Sequence, residues 1–234
     1  MKLKLRNRLI GAVAAVGVLG LSTANAAVWT LNPTPNSSGN TVAASADITA
    51  SGNVFNITLT NLSPSLTASN QGLSDLLINF TTDITGVSGF TQAGQLINVN
   101  ANGTTTNIAG SPTRWDPSIV SGNLYLTSLG GGQPDEMIAP DNIGVPNGGV
   151  PNFNPYIDTS AQFTLTVPGA SNLSIAGVQF SFGTSPTEFV ANGVCSSGCG
   201  VVPEPSSWAM MILGFFGMGA TLRSRRRFKS SALA

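Results

Sequence analysis

The chain has 234 residues with ten basic and ten acidic side chains, but the formal charge of zero hides a strong segregation. Nine of the ten basic residues lie before Leu9 or after Leu222, so residues 27–202 keep Arg114 alone against nine acids and stand eight charges negative. A surface of that sign repels phosphate backbones and excludes nucleic acid as a partner, and the lack of any histidine removes the usual base titrating near neutrality.

Lys2, Lys4, Arg6 and Arg8 precede the apolar run from Leu9 to Leu21, and Ala24-Asn25-Ala26 places small residues at the two positions that a signal peptidase reads. Residues 1–26 therefore read as a secretory signal peptide cleaved after Ala26, the alternative being a retained membrane anchor. Export puts the remainder of the chain outside the cytoplasm.

From residue 27 onward the pattern is period-two alternation broken by Gly, Pro, Asn and Ser, with no amphipathic helix of any length. Val28 to Leu31 and Thr41 to Ala50 are the first strand candidates. In the clearest one, Phe55, Ile57 and Leu59 face one way while Asn56, Thr58 and Thr60 face the other, a core side and a wet side. Leu76 to Thr81 is continuously apolar, as a strand buried on both faces would be. Gly86 to Phe90 reads as a connection, Gln95 to Val99 as a strand, and Asn102-Gly103 as a turn. Leu124 to Thr127, Phe163 to Val167 and Val178 to Phe182 complete the series. Short strands with frequent turn signals predict an all-β body over 27–189, an antiparallel β-sandwich of jelly-roll-like or Greek-key type. A barrel is the alternative.

Gly130 to Tyr156 interrupts this rhythm with three consecutive glycines, five prolines, Asp135, Glu136, Asp141 and two aromatics, Phe153 and Tyr156. A connection of that length is expected to be a functional or disordered loop. Its aromatics, with Trp115 of the Arg114-Trp115-Asp116 triplet, are the residues that could stack on a sugar ring. The acids could supply oxygens to calcium but lack the EF-hand spacing. Arg114 and Asp116 could equally form a buried ion pair beneath the indole. No catalytic residue, metal site or cofactor is expected, because no nucleophile motif or ligand set is present.

Residues 190–202 are rich in Gly and Ser and read as a stem between the body and a membrane. They hold both cysteines, Cys195 and Cys199, whose default in an exported chain is a small disulfide loop. A zinc site would need further ligands, and a redox pair has a shorter spacing.

The stem leads to Pro203-Glu204-Pro205, a stiff extended handle, then Ser206-Ser207-Trp208-Ala209-Met210-Met211 and an uncharged run to Leu222. Arg223, Arg225, Arg226, Arg227 and Lys229 follow as a stop-transfer cluster that holds its end in the cytoplasm. The fifteen residues from Trp208 to Leu222 make a helix of about 22 Å, short of a hydrocarbon core of about 30 Å. Residues 203–229 resemble the PEP-CTERM sorting signal in its Pro-Glu-Pro-x-x-Trp-Ala form, also labelled an ice-binding protein C-terminal domain. The resemblance implies recognition of Pro203, Glu204, Pro205, Trp208 and Ala209 by an exosortase, a multi-pass membrane enzyme of polysaccharide-producing Gram-negative bacteria.

The resulting expectation is a β body flanked by an N-terminal signal helix and a C-terminal transmembrane helix. The partners are signal peptidase, then exosortase, then extracellular polysaccharide. The body is tethered on the periplasmic side and afterwards passes to the cell surface or matrix. A non-enzymatic structural or adhesive protein is the first reading, and a carbohydrate-binding module is the runner-up.

Overall fold

A computed structural model describes residues 25–130, 134–147, 149–169, 174–186 and 188–199, together with Ile212 and Phe215. The described chain is all-β, with two sheets that are antiparallel except for one pairing. Among the described residues no helix is long and apolar enough to cross a membrane. The expected signal helix and nearly all of the expected tail helix lie outside the described residues.

The first sheet is built from β1 (Asn25–Pro35), β2 (Thr41–Ser51), β3 (Val54–Asn61), β5 (Ser88–Ala93), β12 (Ser160–Thr166) and β15 (Val194–Ser197). Its spatial order is β15-β1-β2-β3-β12-β5, and every pairing in it is antiparallel. The second holds β4 (Leu73–Phe80), β6 (Leu96–Val99), β7 (Thr105–Ile108), β8 (Asp116–Val120), β9 (Asn123–Thr127), β10 (Ile138–Ala139), β11 (Tyr156–Asp158), β13 (Ile175–Phe182) and β14 (Phe189–Asn192). Its main path is β14-β13-β4-β10-β11-β6-β7, with β9 pairing β4 and β8 pairing β9. The β10–β11 pair is parallel, because β11 returns from the long 140–155 connection in the same direction as β10.

Alternation in the sequence decides which faces meet. Phe55, Ile57 and Leu59 on β3 are buried, and so are Phe163 and Leu165 on β12, while Asn56, Gln162 and Thr164 between them are exposed. Their inward faces join Leu76 and Ile78 of β4, Leu124 and Leu126 of β9, and Phe180 and Phe182 of β13 in one apolar cluster. The Phe55 and Phe80 rings meet edge to face at 5.7 Å between the two sheets. Each large apolar side chain so buried contributes roughly 1.5–3 kcal/mol, so this shared cluster is what holds the sheets together.

Two expectations are corrected. The 190–202 segment was expected as a stem, yet β14 adds to β13 and β15 adds to β1, so the chain is part of both sheets as far as Ser197. Gly193 between them is a packing residue. Its amide donates to the Val178 carbonyl, and a Cβ there would stand 2.8 Å from a Phe180 ring carbon. The 130–156 segment is likewise less loop-like than its prolines suggest. It carries β10 and a short 3₁₀ turn, Val150–Phe153, and places Met137, Ala139, Val150 and Tyr156 in a second apolar cluster with Leu66, Ile97 and Val99.

Between the sheets lies one polar stitch. Asn61, at the end of β3 and 1 % exposed, donates from Nδ2 to the carbonyls of Gln71 (2.8 Å) and Ile138 (2.7 Å) and accepts from the Ser63 amide at 3.0 Å. Asn61→Ala leaves two buried carbonyls and one amide unpaired, so a loss of about 2–4 kcal/mol is expected in urea unfolding. A change under about 0.5 kcal/mol would show that the stitch is not structural.

Candidate functional site

The three aromatics proposed as ligand contacts are placed as follows. Trp115 is 1 % exposed. Its indole Nε1 donates to the Glu136 carbonyl at 2.8 Å, its amide donates to Gln92 Oε1 at 3.1 Å, and its carbonyl accepts from Gln92 Nε2 at 3.3 Å. The ring lies 5.0 Å from Phe163, which in turn stacks on Phe90 at 6.0 Å. Tyr156 is fully buried, with its hydroxyl donating to the Val150 carbonyl at 3.2 Å, and burial raises its pKa above the ordinary tyrosine value. Phe153 is half-buried against the second cluster. In this arrangement Trp115 and Tyr156 are core residues, and neither ring offers a face to a sugar.

Glu136 explains why Trp115 is inside. Its carboxylate is buried and accepts the amides of Thr113 (2.6 Å) and Arg114 (2.7 Å), which turns residues 113–115 so that the indole enters the core. Glu136 itself sits at φ 62°, a left-handed conformation that costs about 1 kcal/mol for a residue with a Cβ. Two charge-assisted hydrogen bonds more than offset that cost. For Glu136 a main-chain turn supplies the donors that a cation or water would otherwise give. Arg114 pairs with Asp135 at 3.4 Å, not with Asp116, and its side chain is 57 % exposed. This pair lies at the surface and contributes little. Among the described residues no three carboxylates or cysteines gather into a metal-binding group.

Sequence reading passed over Asp75, in the middle of the apolar strand β4 and fully buried. It accepts from Tyr125 Oη at 2.9 Å and Ser74 Oγ at 2.8 Å, with Thr127 as a third donor. Burial raises its pKa above 3.8 while the three hydrogen bonds pull the other way, and burial beside this carboxyl raises the Tyr125 phenol. An acid alone inside Leu73-Ser74-Asp75-Leu76-Leu77 was the signal that could have found it. Enclosed by β9 and β13, the group has no open face toward a substrate.

The cysteines form a disulfide, Cys195–Cys199, with Cα atoms 6.0 Å apart, within the range a bridge spans. Ala26 lies in β1 and pairs with Thr49. Ala24, the handle Pro203, Glu204 and Pro205, Trp208, Ala209, and the cluster Arg223, Arg225, Arg226 and Arg227 lie outside the described residues.

Asp75 gives the fold a pH dependence. Because its folded pKa is raised, its contribution to stability is full below about pH 3.8 and is lost as the pH rises through the folded-state value. Wild type is therefore expected to lose stability relative to Asp75→Asn as the pH rises from about 3 to about 8 in parallel urea titrations. A slope of opposite sign would mean that the hydrogen bonds outweigh burial. Comparison with known proteins finds no matching family model, curated protein or solved structure.

Proposed function

We propose that this chain is exported by its N-terminal signal and sorted by an exosortase at Pro203-Glu204-Pro205. Its body is then a non-catalytic structural or adhesive β-sandwich of a bacterial surface or matrix. The observation that carries this reading is the order of segments along the chain. A basic stretch, an apolar run and Ala24-Asn25-Ala26 stand at the front, and Pro203-Glu204-Pro205, an uncharged run and Arg223 to Lys229 stand at the back. The all-β body lies in the sequence interval between them.

The buried side chains support a body without catalysis. Asp75, Glu136, Trp115 and Tyr156 each spend their polar atoms on partners within the fold. The alternative of a carbohydrate-binding module would have to rest on aromatics other than Trp115 and Tyr156. The tail carries its own argument, since a helix about 8 Å too short for the bilayer suits a segment held briefly and handed to a membrane enzyme.

Replacing Glu204 and Pro205 with alanine is expected to leave export intact and to accumulate a full-length, tail-bearing form in the membrane fraction. Release at the wild-type rate would overturn the sorting assignment. A reporter fused after Ala234 is expected to be active only in the cytoplasm, as the positive-inside bias requires. Periplasmic activity would reverse the topology.

A further inference from the structure

The peptide bond at which the signal peptide is expected to be cut, between Ala26 and Ala27, lies inside a strand. β1 begins at Asn25, and its first rungs against β2 are Asn25 with Ala50, Ala26 with Thr49, and Ala27 with Ile48. The other side of the bond is filled as well. β15 pairs with β1 from Val28 onward, and the turn after it brings Gly198, at φ 73°, against Ala26, whose carbonyl oxygen stands where a Gly198 Cβ would be. No linker separates the bond from the packed body, because Trp29, two residues past Ala27, is only 7 % exposed and belongs to the main apolar cluster.

We propose that the fold itself closes the signal-cleavage site, so that the cut after Ala26 has to precede the pairing of β1. This rests on the export reading above. A peptidase takes its substrate as an extended segment whose main-chain groups are open to the enzyme, in the manner of a strand added to a sheet. Here those groups already face β2, and the space opposite is taken by the Gly198 turn. Presenting the bond from the folded state means peeling residues 25–28 from β2 and lifting the turn at Gly198, with the buried Trp29 next in line. Ladder ends fray, but every further rung adds to the cost, and cleavage through such an opening is scaled down by its population.

The order of the chain supplies the interval in which the cut is possible. β2, β3 and β15 all follow β1, so the bond stays open until they arrive. Hydrolysis in that interval adds one water across the bond and leaves a carboxylate on Ala26 and an ammonium on Ala27. Ala27 opposite Ile48 then becomes the first rung of β1, and the crowded place beside Gly198 is vacated. A chain that folds first keeps its signal peptide.

The test uses the full chain made by cell-free synthesis without membranes, refolded in detergent micelles with its disulfide formed, and then mixed with purified bacterial signal peptidase. Cleavage between Ala26 and Ala27 is followed by mass spectrometry. Two variants bracket the wild type. Ile57→Asp places a charge at a buried position of β3 and keeps the body unfolded while the cleavage site is unchanged. In the second, about eight Gly/Ser residues inserted between Ala27 and Val28 put up to roughly 28 Å of free chain between the bond and the ladder, and a wild-type urea midpoint checks that this body has folded. Folded wild type is expected to be cut at least about tenfold more slowly than either variant. Folded wild type cut as fast as the spacer variant overturns the proposal. So does a folded spacer variant as resistant as wild type beside a readily cut Ile57→Asp chain, since the bulk of the body and not the ladder would then protect the bond. If Ile57→Asp also stays uncut between Ala26 and Ala27, the export reading falls and the proposal with it.

Discussion

With a single cation in the body, buried polar groups have to be satisfied by amides, hydroxyls and main chain, and the architecture follows from that constraint. Asn61 joins the end of β3 to the carbonyls of Gln71 and Ile138, so the first sheet is registered against the second by one neutral side chain. Gln71 extends the link. Its Oε1 accepts the amides of Thr67 and Ala68, and its Nε2 donates to the Thr41 carbonyl at the start of β2. Asn36 and Asn70 do the same at the turn between β1 and β2. Amides cost less to bury than charges and carry both a donor and an acceptor, so a short polar side chain can bridge two strands without a counter-ion.

The same economy governs the two acids that do enter the interior. Glu136 is met by two main-chain amides and Asp75 by three hydroxyls, so neither needs a cation that the body does not possess. Each has become part of a turn or a ladder. Interior acids of this kind stabilise geometry, and their lone pairs are already engaged.

What was legible in the sequence follows how each residue type reports its surroundings. β3 and β12 announced themselves because one face is wet, so Phe55-Ile57-Leu59 and Phe163-Leu165-Val167 alternate cleanly. β4 was recognised from its continuous run, though its buried Asp75 was passed over as an interruption. β7, β8, β10 and β11 were missed for a different reason. They are two to five residues long, too short to show a period of their own, and β10 and β11 in addition exist through partners far away in the chain. Trp115 and Tyr156 misled because aromatic residues flanked by Asn, Asp and Pro look like a binding loop. Their inward orientation is set by Glu136, distant in the chain from Trp115, and by the Val150 carbonyl, six residues before Tyr156, contacts that the residue types alone do not announce. Gly193 and Gly198 misled in the same way, since a glycine needed for close packing is indistinguishable in sequence from one in a flexible stem.

The pairing of β1 with β15 links residues 168 positions apart, which makes it the most non-local ladder in the body. Loop closure on that scale comes after the local hairpins β2–β3 and β8–β9 can form, because distant pairing has to overcome far more chain entropy. In order of synthesis β1 comes first and β15 last, so β1 must wait with one edge unpaired until nearly the whole body has been made. An exposed edge strand is a hazard for association with other chains, and the disulfide turn directly follows β15, the strand that covers it. The strand that seals this sheet edge is thus the last strand among the described residues.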